Sequence, residues 1–212
     1  RVAEVDGIGE DPEVKALVTD PVAAALETLN TTILATQEVD LDAIKANIRT
    51  DETNAANLVT DAFLWQATQL APSFGEPVPD IVLMNGGGIR NDNIYAAGEF
   101  TLGESFDILP FGNTLVVMTV SRDKLKELLE HGLNQLPAAN GRFPHIAGGV
   151  MTIDRSAAVG SRVVEVDLAS AGTVISGGAV VPGPDIALTT LNFTANGGDG
   201  YPFDGTPFTQ LG

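Results

Sequence analysis

The sequence predicts a single α+β domain with a mixed sheet, in which helices lie mainly in the N-terminal half and strands in the C-terminal half. Two patterns predict it. Apolar residues recur at helical spacing in several segments before residue 137. From Val150 onward, short runs such as residues 164–168 alternate between apolar and polar and are separated by glycine and proline turns. The 212 residues, 44% of them hydrophobic, are enough for one sizeable core.

The N-terminal half contains two predicted helices with extended segments between them. Residues 13–30 have a helical pattern interrupted at Pro21, a residue that is tolerated in the first turn of a new helix. Residues 33–48 are expected to form a strand, a turn and short extended pieces. A second helix is predicted over residues 54–70, with Asn54 as a candidate N-cap. Its predicted apolar stripe consists of Val59, Ala62, Phe63 and Leu70.

The middle of the chain predicts a buried strand and the clearest helix. Residues 81–84 are continuously apolar, as expected of a strand buried on both faces. A short helix is expected after Thr101, and a strand over residues 114–120. Ser121 then caps a helix, and residues 185–193 are predicted to be the last strand. The apolar face of the capped helix carries Leu125, Leu128, Leu129, Leu133 and Leu136.

Composition excludes several classes of function. The 11 basic and 28 acidic side chains give a net charge of −17, so the chain has no general electrostatic attraction to nucleic acid. The absence of cysteine excludes disulfides, thiolate metal sites and cysteine nucleophiles. The two histidines are too few for an imidazole-based metal centre; His131 is interpreted as a helix cap or dipole partner, and His145 has no predicted role. No apolar run approaches the roughly 18 residues of a membrane span.

Four segments carry the residues that suggest chemistry: 47–62, 85–90, 109–113 and 192–201. In the second, three glycines follow the buried strand and let backbone amides approach a ligand closely, although the run lacks the spacing and lysine of a P-loop. Arg90 comes next, and a guanidinium suits phosphate because it donates two parallel hydrogen bonds. The alternative is a tight turn with a solvent-facing arginine.

The other candidate residues also have structural alternatives. Arg49 could bind an anion, or pair with Asp51 or Glu52. Phe111 lies in a predicted turn and Phe193 at the end of the last predicted strand, where aromatic side chains usually belong to the core. Asp199 lies among glycines and could simply be a turn residue.

Taken in order, the four segments resemble the C-terminal domain of the 5′-nucleotidase family, over about residues 30–203. The family includes nucleotidases, UDP-sugar hydrolases and 2′,3′-cyclic nucleotide phosphodiesterases. The resemblance implies that Phe111 and Phe193 stack on either side of a nucleobase. It also implies that Arg49 and Arg90 contact the phosphate or ribose.

The resemblance assigns the remaining polar contacts as well. Asn85 and Asn113 match positions that hydrogen-bond the nucleoside, and Asp199 matches one that accepts from the ribose hydroxyls. Gly148 matches a glycine whose backbone lies near the base, although Ala147 stands where family members often have serine. We expect a positive or neutral patch around the two arginines, because screening over about 8 Å mutes distant carboxylates.

In the family, hydrolysis belongs to a separate N-terminal metallophosphoesterase domain with two divalent metals. The resemblance therefore implies that residues 1–30 are a linker and interdomain helix, that residues 31–212 recognise nucleotides, and that the metal domain is absent from this chain. The chain alone is expected to have no catalytic residues, no metal or other cofactor and no turnover. Its expected partners are a nucleotide or nucleoside and its own N-terminal domain.

The full-length protein is expected to be secreted, periplasmic or on the cell surface, by resemblance alone. Two other functions stay open at this point. The chain could be a stand-alone nucleotide- or nucleoside-binding module, or a structural surface domain that does not take part in hydrolysis.

Overall fold

A computed structural model describes residues 9–211, which form two compact units. One consists of residues 9–39 and 97–107, and the other of residues 40–96 and 108–211. Residues 1–8 of the predicted linker lie outside the described range. None of the helices within residues 9–211 combines the length and apolar character needed to cross a bilayer.

The described residues contain helices and a mixed sheet, which confirms the predicted α+β class. The helices are α1 (Pro12–Val14), α2 (Asp20–Thr31), α3 (Lys45–Ile48), α4 (Asn54–Leu70), α5 (Leu102–Ile108), α6 (Arg122–Leu133) and α7 (Asn192–Ala195). The strands are β1 (Ile33–Gln37), β2 (Leu41–Asp42), β3 (Ile81–Asn85), β4 (Ile94–Tyr95), β5 (Gly98–Thr101), β6 (Leu115–Val120), β7 (Pro144–Ala147), β8 (Gly149–Ile153), β9 (Val163–Leu168), β10 (Gly172–Ser176), β11 (Ala179–Val180), β12 (Ile186–Leu191) and β13 (Thr209–Gln210).

The smaller unit contains the predicted first helix. The Asp11 carboxylate accepts hydrogen bonds from the backbone N–H groups of Glu13 and Val14 and starts α1, and a π-helical turn leads into α2. A proline lies in the first turn of α2, as predicted. Strand β1 pairs antiparallel with β5, and α5 follows directly, so the helix expected after Thr101 is present.

The larger unit is built on a five-stranded sheet in the order β13-β6-β12-β3-β7. Strands β3 and β12 are parallel, and the other neighbours are antiparallel. Helix α6 packs its leucines into the core of this unit, and Ser121 caps it by accepting from the Lys124 N–H, as predicted. A separate antiparallel sheet holds β8–β11, where Val166 and Leu168 are buried and Glu165 is exposed.

Helix α4 differs from its prediction in two details. Thr53 is the N-cap and accepts from the Ala56 N–H, whereas the Asn54 side chain bonds the backbone of residues 40 and 42. Ala62 is exposed, so the predicted stripe is wrong at that position. The buried face of α4 is Ala55, Ala56, Val59, Thr60 and Ala67, because small residues allow close approach to β3 and β7.

The predicted last strand is also wrong at its end. Strand β12 stops at Leu191, and Phe193 lies in the helical turn α7 that follows. The Asn192 side-chain oxygen accepts from the N–H groups of Phe193 and Thr114, and this local bonding replaces the next ladder bond. Strand β13 comes later in the chain and pairs with β6.

The sheet brings distant segments to one edge. Because β3 and β12 are parallel neighbours, both strands end there. Strands β6 and β7 run the opposite way and begin there, with Leu191 opposite Leu115 and Asn85 opposite Pro144. The glycine run after β3, the turn after β12 and the segments before β6 and β7 therefore lie side by side.

Candidate functional site

A cavity of about 360 Å³ opens at this edge of the sheet. Every predicted site residue except Gly148 lines it. The lining residues are Arg49, Asn85, Gly87, Gly88, Arg90, Phe111, Asn113, Gly141, Phe193 and Asp199. Each of the four sequence segments contributes to this wall, so the fold assembles residues that are far apart along the chain.

The two phenylalanine rings are surface groups, not core residues. Phe111 is 52% exposed and Phe193 is 46% exposed. The Phe193 ring packs on the backbone of Gly198, where an added methyl group would lie 2.3 Å from Cε1 of the ring. The Arg90 guanidinium lies over the Phe111 ring, 5.4 Å from its centroid. Both rings line one cavity and are about half exposed, so they can contact a flat apolar group there.

Asn192, which the sequence did not single out, links the two ring-bearing segments. Its backbone N–H donates to the Thr114 carbonyl at 2.9 Å, and its side-chain oxygen accepts from the Thr114 N–H at 3.1 Å. The same oxygen accepts from the Phe193 N–H. An asparagine beside an aromatic residue gives no sequence signal for such a bridge, because it depends on the pairing of β6 with β12.

Asp199 presents a carboxylate to the cavity from a backbone conformation that is unusual for a residue with a side chain. Its φ of 52° lies in the left-handed region. The Asn85 side-chain N–H donates to Asp199 Oδ2 at 2.6 Å, and the buried Thr194 hydroxyl donates to Asn85 Oδ1 at 3.3 Å. The Asn85 amide keeps one N–H and one lone pair that these bonds do not use.

The backbone of two glycines, Gly87 and Gly141, forms part of the cavity wall. The Gly87 N–H donates to the Gly141 carbonyl at 2.7 Å, and a methyl group on either residue would lie 3.1–3.2 Å from Asp199 Oδ2. Gly141 was not among the predicted site residues. It precedes β7, and its place is set by the antiparallel pairing of β7 with β3, which a single glycine in the sequence does not reveal.

Arg49 follows α3 and keeps its charge available. Within residues 9–211 it makes no ion pair, since Asp51 pairs with Arg155 at 3.0 Å and Glu52 accepts from the Asn57 amide. The expected alternative of pairing with Asp51 or Glu52 is therefore not observed. Its Nε is buried without a hydrogen-bond partner among the described residues. A buried donor without a partner is uncommon, and Arg49 lines the cavity, so its guanidinium group is a candidate to bind an anionic group there.

Arg90 is exposed, which fits its turn position, but it does not extend freely into solvent. Its backbone N–H donates to the Ile108 carbonyl at 2.9 Å, and its guanidinium donates to the Gly87 carbonyl at 3.4 Å while lying over Phe111. The side chain therefore stays at the rim of the cavity, where an anionic group could meet it.

His145 supports the residue before Arg49. Its Nε2 lies 2.8 Å from the Ile48 carbonyl, and a carbonyl can only accept, so this nitrogen carries the proton. Burial lowers the pKa of His145 to about 4, against weaker opposing effects of the Ile48 bond and the Glu52 charge. The ring is therefore neutral near pH 7 and acts as a fixed donor between β7 and the end of α3.

Gly148 lies elsewhere. It follows β7 at the opposite edge of the sheet, where Ala147 is paired with Val82, and it has a φ of 94°. An added Cβ would lie 2.4 Å from the Asp80 carbonyl oxygen, so close backbone packing explains the glycine. The structure does not bring it to the other predicted residues, and we leave it out of the proposed site.

Residues 9–211 contain no group of three or more histidine, aspartate or glutamate side chains able to hold a metal ion. The arrangement at the cavity offers two aromatic faces, one carboxylate, two amides and two guanidinium groups. These groups can bind and orient a ligand that is aromatic at one end and anionic at the other.

Comparisons with known proteins identify the family. The sequence model described as "5′-nucleotidase, C-terminal domain" matches residues 31–205. The chain is 35% identical over 194 residues to the trifunctional nucleotide phosphoesterase protein YfkN of Bacillus subtilis (strain 168), covering 91% of this chain and 12% of that protein. It is 28% identical over 196 residues to human 5′-nucleotidase, covering 92% of this chain and 34% of the relative.

A solved structure gives the same result. The 5′-nucleotidase precursor from Thermus thermophilus matches with a TM-score of 0.75 and 33% identity, over 94% of this chain and 36% of that one. The chain thus spans only about a third or less of the length of these relatives. Fold, segment order and sequence agree, and the chain belongs to the family of 5′-nucleotidase C-terminal domains.

Proposed function

We propose that this chain recognises a nucleotide as the substrate-binding part of a two-domain phosphohydrolase. The observation that carries the proposal is the cavity lined by two exposed phenylalanine rings, the Asp199 carboxylate and Arg49, which makes no ion pair within residues 9–211. The names of the relatives, a nucleotide phosphoesterase and 5′-nucleotidases, supply the substrate class.

The base would lie between Phe111 and Phe193. Exposed aromatic rings lose water-accessible apolar surface when a flat heterocycle covers them, and every nucleobase has a face that stacks. Asn85 and Asn113 line the same cavity, and the free N–H and lone pair of the Asn85 amide can bond the nucleoside. Stacking sets affinity without a strong preference among bases.

The ribose and phosphate would extend from the base toward the polar side chains of the cavity. The Asp199 carboxylate can accept from two vicinal hydroxyls, and one of its oxygens is already oriented by Asn85. The phosphate would face Arg49 and Arg90, whose guanidinium groups match its oxygens. We expect the local potential at the two arginines to be positive or neutral despite the net charge of −17.

Hydrolysis would belong to an N-terminal metallophosphoesterase domain outside this chain, where two bound divalent metals would supply Lewis-acid activation of a water. Residues 1–30 would connect the domains and residues 31–212 would bind the substrate. The chain alone would show no phosphatase turnover with added Mn²⁺ or Zn²⁺. Relatives named as snake venom enzymes support a protein that acts outside the cytoplasm, either secreted, periplasmic or on the cell surface.

Titration calorimetry of the chain with adenosine and AMP tests this function. We expect saturable binding of both ligands, tighter for AMP, and weak because the metal contacts of the other domain are missing. Absence of heat for both ligands would contradict the proposal and favour a structural surface domain. Binding in a full-length protein whose other domain lacks metal ligands would instead indicate a stand-alone binding module.

Replacing Gly198 with alanine is expected to weaken adenosine binding about tenfold. The new methyl group would lie 2.3 Å from the Phe193 ring, and the ring must move away from its stacking position. Calorimetry measures the loss, and thermal melting checks that the variant is folded. Gly9→Ala is the matched control, since the added methyl group meets nothing within 4 Å beyond the neighbouring residues and Gly9 does not line the cavity. Equal affinity of Gly198→Ala and the parent would show that the ring position does not matter.

Replacing Arg49 with alanine is expected to weaken AMP binding by about ten- to hundredfold, since a hydrogen bond to a charged group contributes roughly 1.5–3 kcal/mol. Adenosine, which has no phosphate, should lose much less. The control is Lys45→Ala, which removes the same charge from an exposed position on α3. An equal loss for AMP and adenosine would mean that Arg49 does not face the phosphate.

A further inference from the structure

We propose that His131 is a positioning residue that holds Asp199 in the conformation needed to bind a ribose diol, an inference that rests on the function proposed above. Asn85 fixes the carboxylate of Asp199 through its side chain. His131, on the last turn of α6, fixes the main chain of the same residue. The sequence pattern indicated only a helix cap or dipole partner at this position.

The loop that carries Asp199 needs outside support. Gly197, Asp199 and Gly200 all have positive φ values, of 87°, 52° and 76°. Aspartate adopts this region more readily than most residues, but the conformation is still disfavoured relative to extended or helical backbone. A strained residue of this kind persists only where its surroundings determine its position.

His131 supplies that support directly. Its Nε2 lies 3.1 Å from the Asp199 carbonyl oxygen. Because a carbonyl accepts and cannot donate, the contact requires the tautomer with the proton on Nε2. A methyl group added at Gly200 would lie 3.5 Å from Cε1 of His131, so the imidazole packs directly against the backbone that follows Asp199.

The end of α6 also holds the next residue of the loop. The rings of His131 and Tyr201 lie 5.0 Å apart between centroids. Gly132 leaves room for the Tyr201 hydroxyl, because a Cβ there would lie 2.8 Å from that oxygen. The hydroxyl donates to the Arg142 carbonyl at 2.7 Å, and burial raises the pKa of Tyr201, so it remains a donor.

The consequence concerns mainly the ribose of the ligand. Asp199 Oδ2 bonds Asn85, and Oδ1 has no hydrogen bond to any residue in the described range, so it is available to the sugar hydroxyls. The Phe111 ring lies on a different segment, whereas the Phe193 ring packs on Gly198 within the supported loop. Loss of the His131 bond should therefore reduce recognition of the ribose hydroxyls more than it reduces base stacking.

The test compares adenosine with 2′,3′-dideoxyadenosine, which lacks both hydroxyls, by calorimetry. We expect the parent chain to prefer adenosine by about tenfold or more, given the strength of hydrogen bonds to a carboxylate. His131→Ala should reduce this ratio to about threefold or less, because adenosine should lose more affinity than dideoxyadenosine. His131→Gln places an amide N–H near Nε2 and should restore most of the ratio. Gln135→Ala, an exposed change one turn later, should leave it unchanged.

Two results would overturn the inference. One is an unchanged ratio of adenosine to dideoxyadenosine affinity in a folded His131→Ala variant. The other is an equal loss of affinity for both ligands, which would indicate a general loosening of the structure. Binding of neither ligand by the parent would refute the proposed function itself. Hydrogen exchange then still decides the role of His131, because it needs no ligand. Amides of residues 197–201 should exchange at least about tenfold faster in His131→Ala and near the parental rate in His131→Gln. Unchanged exchange in His131→Ala would contradict the role.

Discussion

Replacing both Phe111 and Phe193 with alanine is expected to weaken adenosine binding at least about a hundredfold. Removing one stacking ring costs roughly 1–3 kcal/mol per base in nucleic-acid binders, and the double variant removes both faces of the proposed slot. Each ring is about half exposed, so neither contributes much to the core and the variant should stay folded. Calorimetry gives the affinity, and thermal melting gives the stability.

The control for this variant is another exposed phenylalanine. Phe74 has the same exposed fraction as Phe193, 46%, and does not line the cavity. Phe74→Ala should bind adenosine as the parent does. The single ring variants should each lose part of the affinity. A double variant that binds within about threefold of the parent would show that the rings do not hold the base.

Lowering the pH is expected to reduce the free energy of unfolding through His145, by up to roughly 3 kcal/mol. This figure follows from the pKa difference of His145 between the folded and unfolded chain, at about 1.36 kcal/mol per pKa unit. Burial lowers the pKa of this histidine to about 4 in the folded chain, against 6.5 in the unfolded one. The unfolded chain therefore binds more protons between those values. The stabilisation is complete above about pH 6.5 and is lost as the pH falls toward 4. Urea denaturation at several pH values measures this slope.

His145→Gln isolates the effect. Glutamine can donate to the Ile48 carbonyl but does not titrate, and His131 is present in both proteins. The variant should be less sensitive to pH than the parent between 5 and 6.5, where most carboxylates are ionised. If the free energy of unfolding changed with pH equally in the two proteins, His145 would not be a buried neutral donor.

Local patterns in the sequence were sufficient for several elements. Continuous apolar residues located β3, and the Ser121 cap and leucine spacing located α6, because each depends on residues near one another in the chain. The end of β12 was not predictable from such patterns. There, the Asn192 side chain competes with the strand ladder, and its partner Thr114 lies far away in sequence.

The candidate site likewise contains residues that the sequence predicted and residues that it did not. Arg49, Phe111, Phe193 and Asp199 were identified because they stand in recognisable segments, and the fold brings them to one cavity. Gly141 and His131 were not assigned to the site, since their proximity to Asp199 arises from the pairing of β7 and the docking of α6. Gly148 belongs to a pair of glycines that resembles the glycine run after β3, but it packs against Asp80 at the other edge of the sheet.

A crystal structure of the chain with adenosine would show where the base binds. We expect the purine between the Phe111 and Phe193 rings at stacking distance, with the sugar hydroxyls bonded to Asp199. Adenosine bound elsewhere, or in this cavity with its base away from either ring, would contradict this expectation.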